Sequence, residues 1–120
     1  MWMWIKKYLK QIYFWGWRYR CVICDSQLRK WHWHGEDSDV HRTHQMVGSG
    51  RRETACPHCH SIDRERLLYL YLQNHCKKME WSNMRVLHIA PENVLQEWIK
   101  QQRPLEYIRG DFFTEGYEYG

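Results

Sequence analysis

The sequence has no long uninterrupted apolar run at its start: the opening, MWMWIKKYLK, is broken by lysines and has no small-residue cleavage site behind it. A secretory leader is therefore not expected, nor is a chain that spans a membrane. No repeat and no low-complexity tract is visible, which excludes a solenoid or a tandem array. Charged residues make up 27% and hydrophobic ones 43%, a balance that excludes a disordered chain. The net charge of +4 is modest, and the basic pair Arg51 and Arg52 is too short to read as a nucleic-acid site.

Acid is missing altogether before Cys21, where Lys6, Lys7, Lys10, Arg18 and Arg20 alternate with tryptophan, tyrosine and phenylalanine. Trp4, Ile5, Tyr8, Leu9 and Ile12 fall at i, i+1, i+4, i+5 and i+8, one stripe of a helix, and the lysines lie off it. Residues 1–20 are thus predicted as a basic, aromatic, amphipathic helix. Two uses fit it: packing on the rest of the protein, or peripheral membrane contact through residues 1–20, since Trp and Tyr favour the interface and lysines favour anionic headgroups.

What the chain does have is two Cys-x-x-Cys pairs, Cys21/Cys24 and Cys56/Cys59. Each spacing lets one turn present two sulfurs to one ion, and four thiolates match the tetrahedral preference of Zn²⁺ with no position left open for catalysis. Residues 21–61 are predicted as a zinc ribbon whose structural metal is held by these four cysteines. Residues 25–55 separate the pairs, more than the roughly 15 to 20 of a compact ribbon, so a loop is inserted there. A Cys₃His set using one of His32, His34, His41, His44, His58 or His60 is the alternative, and disulfides would require an oxidising compartment. Cys76, in a helical pattern, reads as a small buried apolar residue.

After Trp33 the run GEDSDVHRTHQMVGSGRRET reads as loop, with short ribbon strands at either end. The second knuckle leads directly into a connecting helix within residues 62–82. Ser61 is its expected N-cap, Asp63 meets the positive end of its dipole, and Leu67, Leu68, Tyr71, Leu72 and His75 form its stripe. Arg85 to Ala90 is a short apolar run interrupted by Pro91, as in a buried strand. Asn93 to Gln102 is helical in period and stopped by Pro104, and Leu105 to Ile108 is a second run ending at Gly110 and Asp111. Strand, helix, strand is the beginning of a βαβ unit.

The succession CVIC, ETACPHCHSIDRERLLYLYL, VLHIAPENVL and LEYIRGDF, over roughly residues 21–113, resembles the N-terminal half of class I S-adenosylmethionine-dependent methyltransferases that carry an N-terminal zinc ribbon. The resemblance implies an α/β fold in which the ribbon precedes the first strand-helix-strand of a Rossmann-like methyltransferase sheet, begun within residues 83–120 and incomplete there. In such folds the cofactor lies across the carboxyl ends of the strands. Carried over by position, the first turn is His88, Ile89, Ala90, Pro91 and Glu92, and the acid that holds the ribose hydroxyls is Asp111; read without the family, Asp111 is an ordinary turn residue after Gly110. Two positions depart from the pattern: His88 stands where the general fold has an acid, with no Gly-x-Gly run after it, and Glu65 stands where the motif usually has histidine.

The resemblance further implies S-adenosylmethionine as cofactor, with partners in a missing C-terminal methyltransferase half or a complementing chain, and little or no catalysis by residues 1–120 alone. It assigns neither the methyl acceptor nor a catalytic base. Two other classes stay open: a zinc-ribbon module that binds nucleic acid or protein through its basic aromatic surface, and a peripheral membrane protein. The expected location is cytoplasmic, or peripheral at a membrane.

Overall fold

The computed structural model describes residues 1–48 and 50–111. The Phe112 and Phe113 end of the methyltransferase-like stretch, and the rest of the span expected to Gly120, lie outside the described residues. The chain divides into two compact units, Met1–Arg66 and Leu67–Gly120.

The first unit opens with α1 (Trp2–Phe14) and continues through β1 (Trp15–Arg20), β2 (Gln27–Leu28), β3 (His32–His34), the short α2 (Asp39–Thr43) and β4 (Arg52–Ala55). The helix expected over residues 1–20 therefore ends at Phe14, and Trp15–Arg20 becomes a ribbon strand. The local reason is alternation: Trp15, Trp17 and Tyr19 share one face and Gly16, Arg18 and Arg20 the other, a period-2 pattern that a helix would scatter. Gly16 is required there, because a Cβ would lie 2.5 Å from the Arg29 Cβ and 2.9 Å from its backbone.

β1 pairs antiparallel with β2, Tyr19 opposite Leu28 and Arg20 opposite Gln27. β3 pairs antiparallel with β4, His32 opposite Ala55 and His34 opposite Arg52. These are the short strands expected at either end of the inserted loop, and within the loop Ser38 caps α2 by accepting the His41 N–H at 3.3 Å. Gly35, at φ +92°, closes the β3 end; a Cβ would stand 2.4 Å from the Gly50 carbonyl oxygen. Phe14, Cys21, Leu28 and Cys56 form the buried core, with Ile23, Trp31 and Cys59 packed against it. A core this small makes the unit dependent on a further staple.

α3 (Asp63–His75) carries the chain across the unit boundary. In the second unit β5 (Arg85–Ile89), α4 (Asn93–Gln101) and β6 (Glu106–Gly110) follow, β5 and β6 pairing in parallel from Arg85 opposite Glu106 to Ile89 opposite Gly110. The expected strand-helix-strand is present, as a two-stranded sheet among the described residues. α4 buries Leu95 and Ile99, each worth about 1.5 to 3 kcal/mol, and Trp98 packs edge-on against Tyr69 at 5.0 Å and Trp81 at 5.8 Å. The stripe expected on α3 is less well covered. Leu67 and Tyr71 are exposed, and Leu68, Tyr71 and Leu72 line an open cleft of about 410 Å³ with Val86 and Leu95. Cys76 lies just past the end of α3 and is half-buried.

Candidate metal centre

The two Cys-x-x-Cys turns are built alike. In the first, after β1, the Cys21 N–H donates to the Ser26 carbonyl at 3.0 Å and the Asp25 N–H to the Cys21 carbonyl at 2.8 Å. In the second, after β4, the Cys56 N–H donates to the Ser61 carbonyl at 2.8 Å and the His60 N–H to the Cys56 carbonyl at 3.0 Å. Asp25 at φ 62° and His60 at φ 64° occupy the left-handed region at matching places. Those conformations curl each turn so that both of its sulfurs face inward, and aspartate and histidine are among the non-glycine residues that tolerate them best.

The four sulfurs of Cys21, Cys24, Cys56 and Cys59 lie within 4.8 Å of one another, and all the cysteines are free. Cys21 Sγ is 3.7 Å from Cys59 Sγ, and Cys24 Sγ is 3.7 Å from Cys56 Sγ. A tetrahedron with metal–sulfur bonds of about 2.3 Å has edges of about 3.8 Å, which the Cys21–Cys59 and Cys24–Cys56 separations match. This group of cysteines could hold a metal ion, and four thiolates are a donor set consistent with structural zinc. No histidine belongs to it among the described residues. His32 instead turns its Nδ1 to the Trp33 carbonyl at 2.9 Å, and His58 and His60 line a cleft with Lys7, Lys10 and Gln11.

The sulfurs shift one another's protonation. Hydrogen bonds from Cys56 and Cys59 pull the Cys21 thiol far below its ordinary range. Cys56 is driven far above the usual thiol range by its hydrogen bonds with Cys21 and Cys59 and by burial, and Cys59 is raised chiefly through its hydrogen bond with Cys21. The three thiols therefore share protons as one group.

Sequence reasoning missed the residues that brace these turns. Ser26 and Ser61, each two positions after the second cysteine of its knuckle, place their hydroxyls 3.1 Å from Cys24 Sγ and Cys59 Sγ. Ser61 is fully buried and also sits 3.7 Å from Cys21 Sγ, so it does not cap α3 as expected. The Glu65 carboxylate does that work instead, accepting the Ile62 N–H at 2.9 Å, the reach-back half of a capping box. Arg66 donates to the Ser61 and Thr54 carbonyls, both at 2.6 Å, and stacks 4.0 Å from the Trp31 ring centroid. The repeated Cys-x-Ser following each pair was the available signal.

In the second unit, His88, Ala90 and Glu92 of the turn carried over by position, and Asp111, stand at the carboxyl end of the β5/β6 pair. His88 Nδ1 meets the Tyr107 hydroxyl at 2.8 Å, and its Nε2 lies 3.4 Å from the Glu92 carboxylate. Ala90 turns the chain at φ 51° and donates its N–H to the Gly110 carbonyl at 2.8 Å, which brings the turn beside the backbone that leads into Asp111. Pro91 is fully buried behind it. Tyr107, which sequence reasoning did not single out, has its phenol pushed up by burial.

No helix among the described residues is long and apolar enough to cross a membrane. Comparison with protein-family models, with curated proteins and with solved structures finds no match to this chain.

Proposed function

We propose that this chain is the zinc-ribbon-bearing N-terminal part of an S-adenosylmethionine-dependent methyltransferase. The observation that carries the reading is the parallel β5–α4–β6 unit with its left-handed turn at Ala90 and an acid, Asp111, directly after β6. Ligands of open α/β sheets lie outside the carboxyl ends of the parallel strands, where both features stand. The ordered motifs of residues 21–113 support the same reading.

In this reading Cys21, Cys24, Cys56 and Cys59 hold Zn²⁺ as a structural ion, with no open position for chemistry. The ion staples a unit whose buried core is too small to stand alone. The bound S-adenosylmethionine supplies an electrophilic methyl group for in-line displacement by an acceptor nucleophile. The chain's own part is placement. The carboxylate of Asp111 would accept hydrogen bonds from the ribose hydroxyls and the turn at Ala90 would form one wall of the cofactor site, while Glu92 and Tyr107 fix the ring of His88 in that turn.

One βα turn forms only one wall of a pocket, and binding sites bury most of their ligand. Residues 1–120 alone therefore bind S-adenosylmethionine too weakly to detect, and the same chain with its sheet completed, by further polypeptide or by a complementing chain, binds it. Calorimetric titration of both forms tests this. Tight binding by residues 1–120 overturns the single-wall argument, and no binding by the completed form overturns the methyltransferase reading in favour of a zinc-ribbon module that binds nucleic acid or protein.

A further inference from the structure

α1 is a helix held at one end. Phe14, its last residue, is its only buried one. Beside it, the Tyr13 hydroxyl accepts a hydrogen bond from Lys30, and Arg29 lies 4.5 Å over the Tyr13 ring. The Arg29 N–H donates to the Phe14 carbonyl at 2.9 Å. The last turn is thus fastened to the ribbon, and the preceding turns project from it.

What projects is strongly two-faced. Lys7, Lys10 and Gln11, at i, i+3 and i+4, face a cleft of about 270 Å³ against Pro57, His58 and His60 of the second knuckle. Trp4, Ile5, Tyr8, Leu9 and Ile12 form a stripe flanked by Lys6 and Lys7, and among the described residues of the first unit it is left uncovered: Leu9 is 60% and Ile12 72% exposed. An apolar face of this kind is far larger than the scattered exposed side chains of an ordinary surface.

We infer that α1 is an in-plane docking helix for an anionic lipid surface, with the Trp4–Ile12 stripe buried at the headgroup and acyl boundary, Lys6 and Lys7 at its polar margin and Lys10 on the polar face behind it. Charge selects this occupant. The helix and the residues up to Cys21 contain no acid, so the face offers only positive charge to whatever covers it. Two copies packed stripe to stripe would bring the flanking Lys6 and Lys7 of each near those of the other with no carboxylate between them, which disfavours a symmetric dimer through α1. Tryptophan and tyrosine within the stripe suit a boundary that is apolar on one side and wet on the other. With 13 residues the helix lies on a bilayer and does not cross it. Docking this way would carry the ribbon, fastened through Tyr13 and Phe14, to the membrane surface. The inference is independent of the methyltransferase reading.

The test is flotation of the metal-loaded chain with vesicles of phosphatidylcholine alone and of phosphatidylcholine mixed with phosphatidylglycerol, at low and high salt. The expected result is binding to the anionic vesicles that weakens with salt. Lys6→Gln, Lys7→Gln and Lys10→Gln together should lower it by roughly fivefold per lysine, the worth of a basic residue near a charged surface. Leu9→Glu with Ile12→Glu should abolish it. Both positions are exposed, so the double variant keeps its metal content and circular dichroism, which separates lost docking from lost folding. Equal partitioning onto neutral and anionic vesicles, no partitioning onto either, or a dimer in sedimentation that Ile12→Glu dissolves without any vesicle binding would each overturn the proposal.

Discussion

Cys21 Sγ lies 3.7 Å from Cys59 Sγ, a contact between two knuckles whose strands, β1 and β4, belong to different hairpins. The cysteine cluster lies between them, after β1 of one strand pair and after β4 of the other.

If the four cysteines carry a structural ion, the purified chain holds about one zinc and Cys56→Ser loses both the zinc and the fold of the first unit. Metal binding and folding are coupled in such sites, with about 10 to 16 kcal/mol of apparent binding energy at neutral pH in small zinc domains. Elemental analysis and circular dichroism decide it. Unchanged zinc content in Cys56→Ser would refute the ligand assignment.

Ser61→Ala should keep the fold and weaken zinc binding by about 10- to 100-fold, the usual cost of removing a partner behind a metal ligand, because the hydroxyl 3.1 Å from Cys59 Sγ helps fix that sulfur. Competition with a chromophoric chelator measures it. Wild-type affinity would reduce Ser61 to filler.

Arg66→Met should destabilise the first unit by about 2 to 3 kcal/mol. It removes charge-assisted hydrogen bonds to the Thr54 and Ser61 carbonyls and retains only part of the stacking on Trp31. Denaturant unfolding of the zinc-loaded chain reads it, and a change below about 0.5 kcal/mol, the range of an ordinary surface substitution, would show that Arg66 is dispensable.

In a form that binds S-adenosylmethionine, Asp111→Ala should weaken binding by about 1 to 3 kcal/mol, the value of hydrogen bonds to a charged acceptor. Calorimetry on the variant checks it, and unchanged affinity would remove Asp111 from the site.

Much of this was legible because it is local. Cys-x-x-Cys is a turn-sized pattern, and the apolar runs about Val86 and Ile108 with Leu95 and Ile99 between them announce strand, helix and strand within a short stretch of chain. The boundary at Phe14 was harder, since Trp15–Arg20 continues the basic aromatic composition of the helix and differs only in period. Ser61 misled for a different reason. A serine just ahead of a helix is a good cap in isolation, but here its hydroxyl is claimed by sulfurs that reach it only when both knuckles close.

By itself the sequence determined the donor set, the two ribbon knuckles, the βαβ order and the two-faced character of residues 2–14, because each depends on spacing within one turn or one element. Tertiary structure alone decided that the four sulfurs converge within 4.8 Å of one another with no histidine among the described residues joining them, that Arg66 reaches from α3 to the β4 carbonyl of Thr54, that His88 is held between Tyr107 and Glu92, and that the first unit leaves the α1 stripe uncovered among its described residues. These depend on which distant segments meet, and burial and pairing between segments are set by the folded chain as a whole, whatever the local pattern allows.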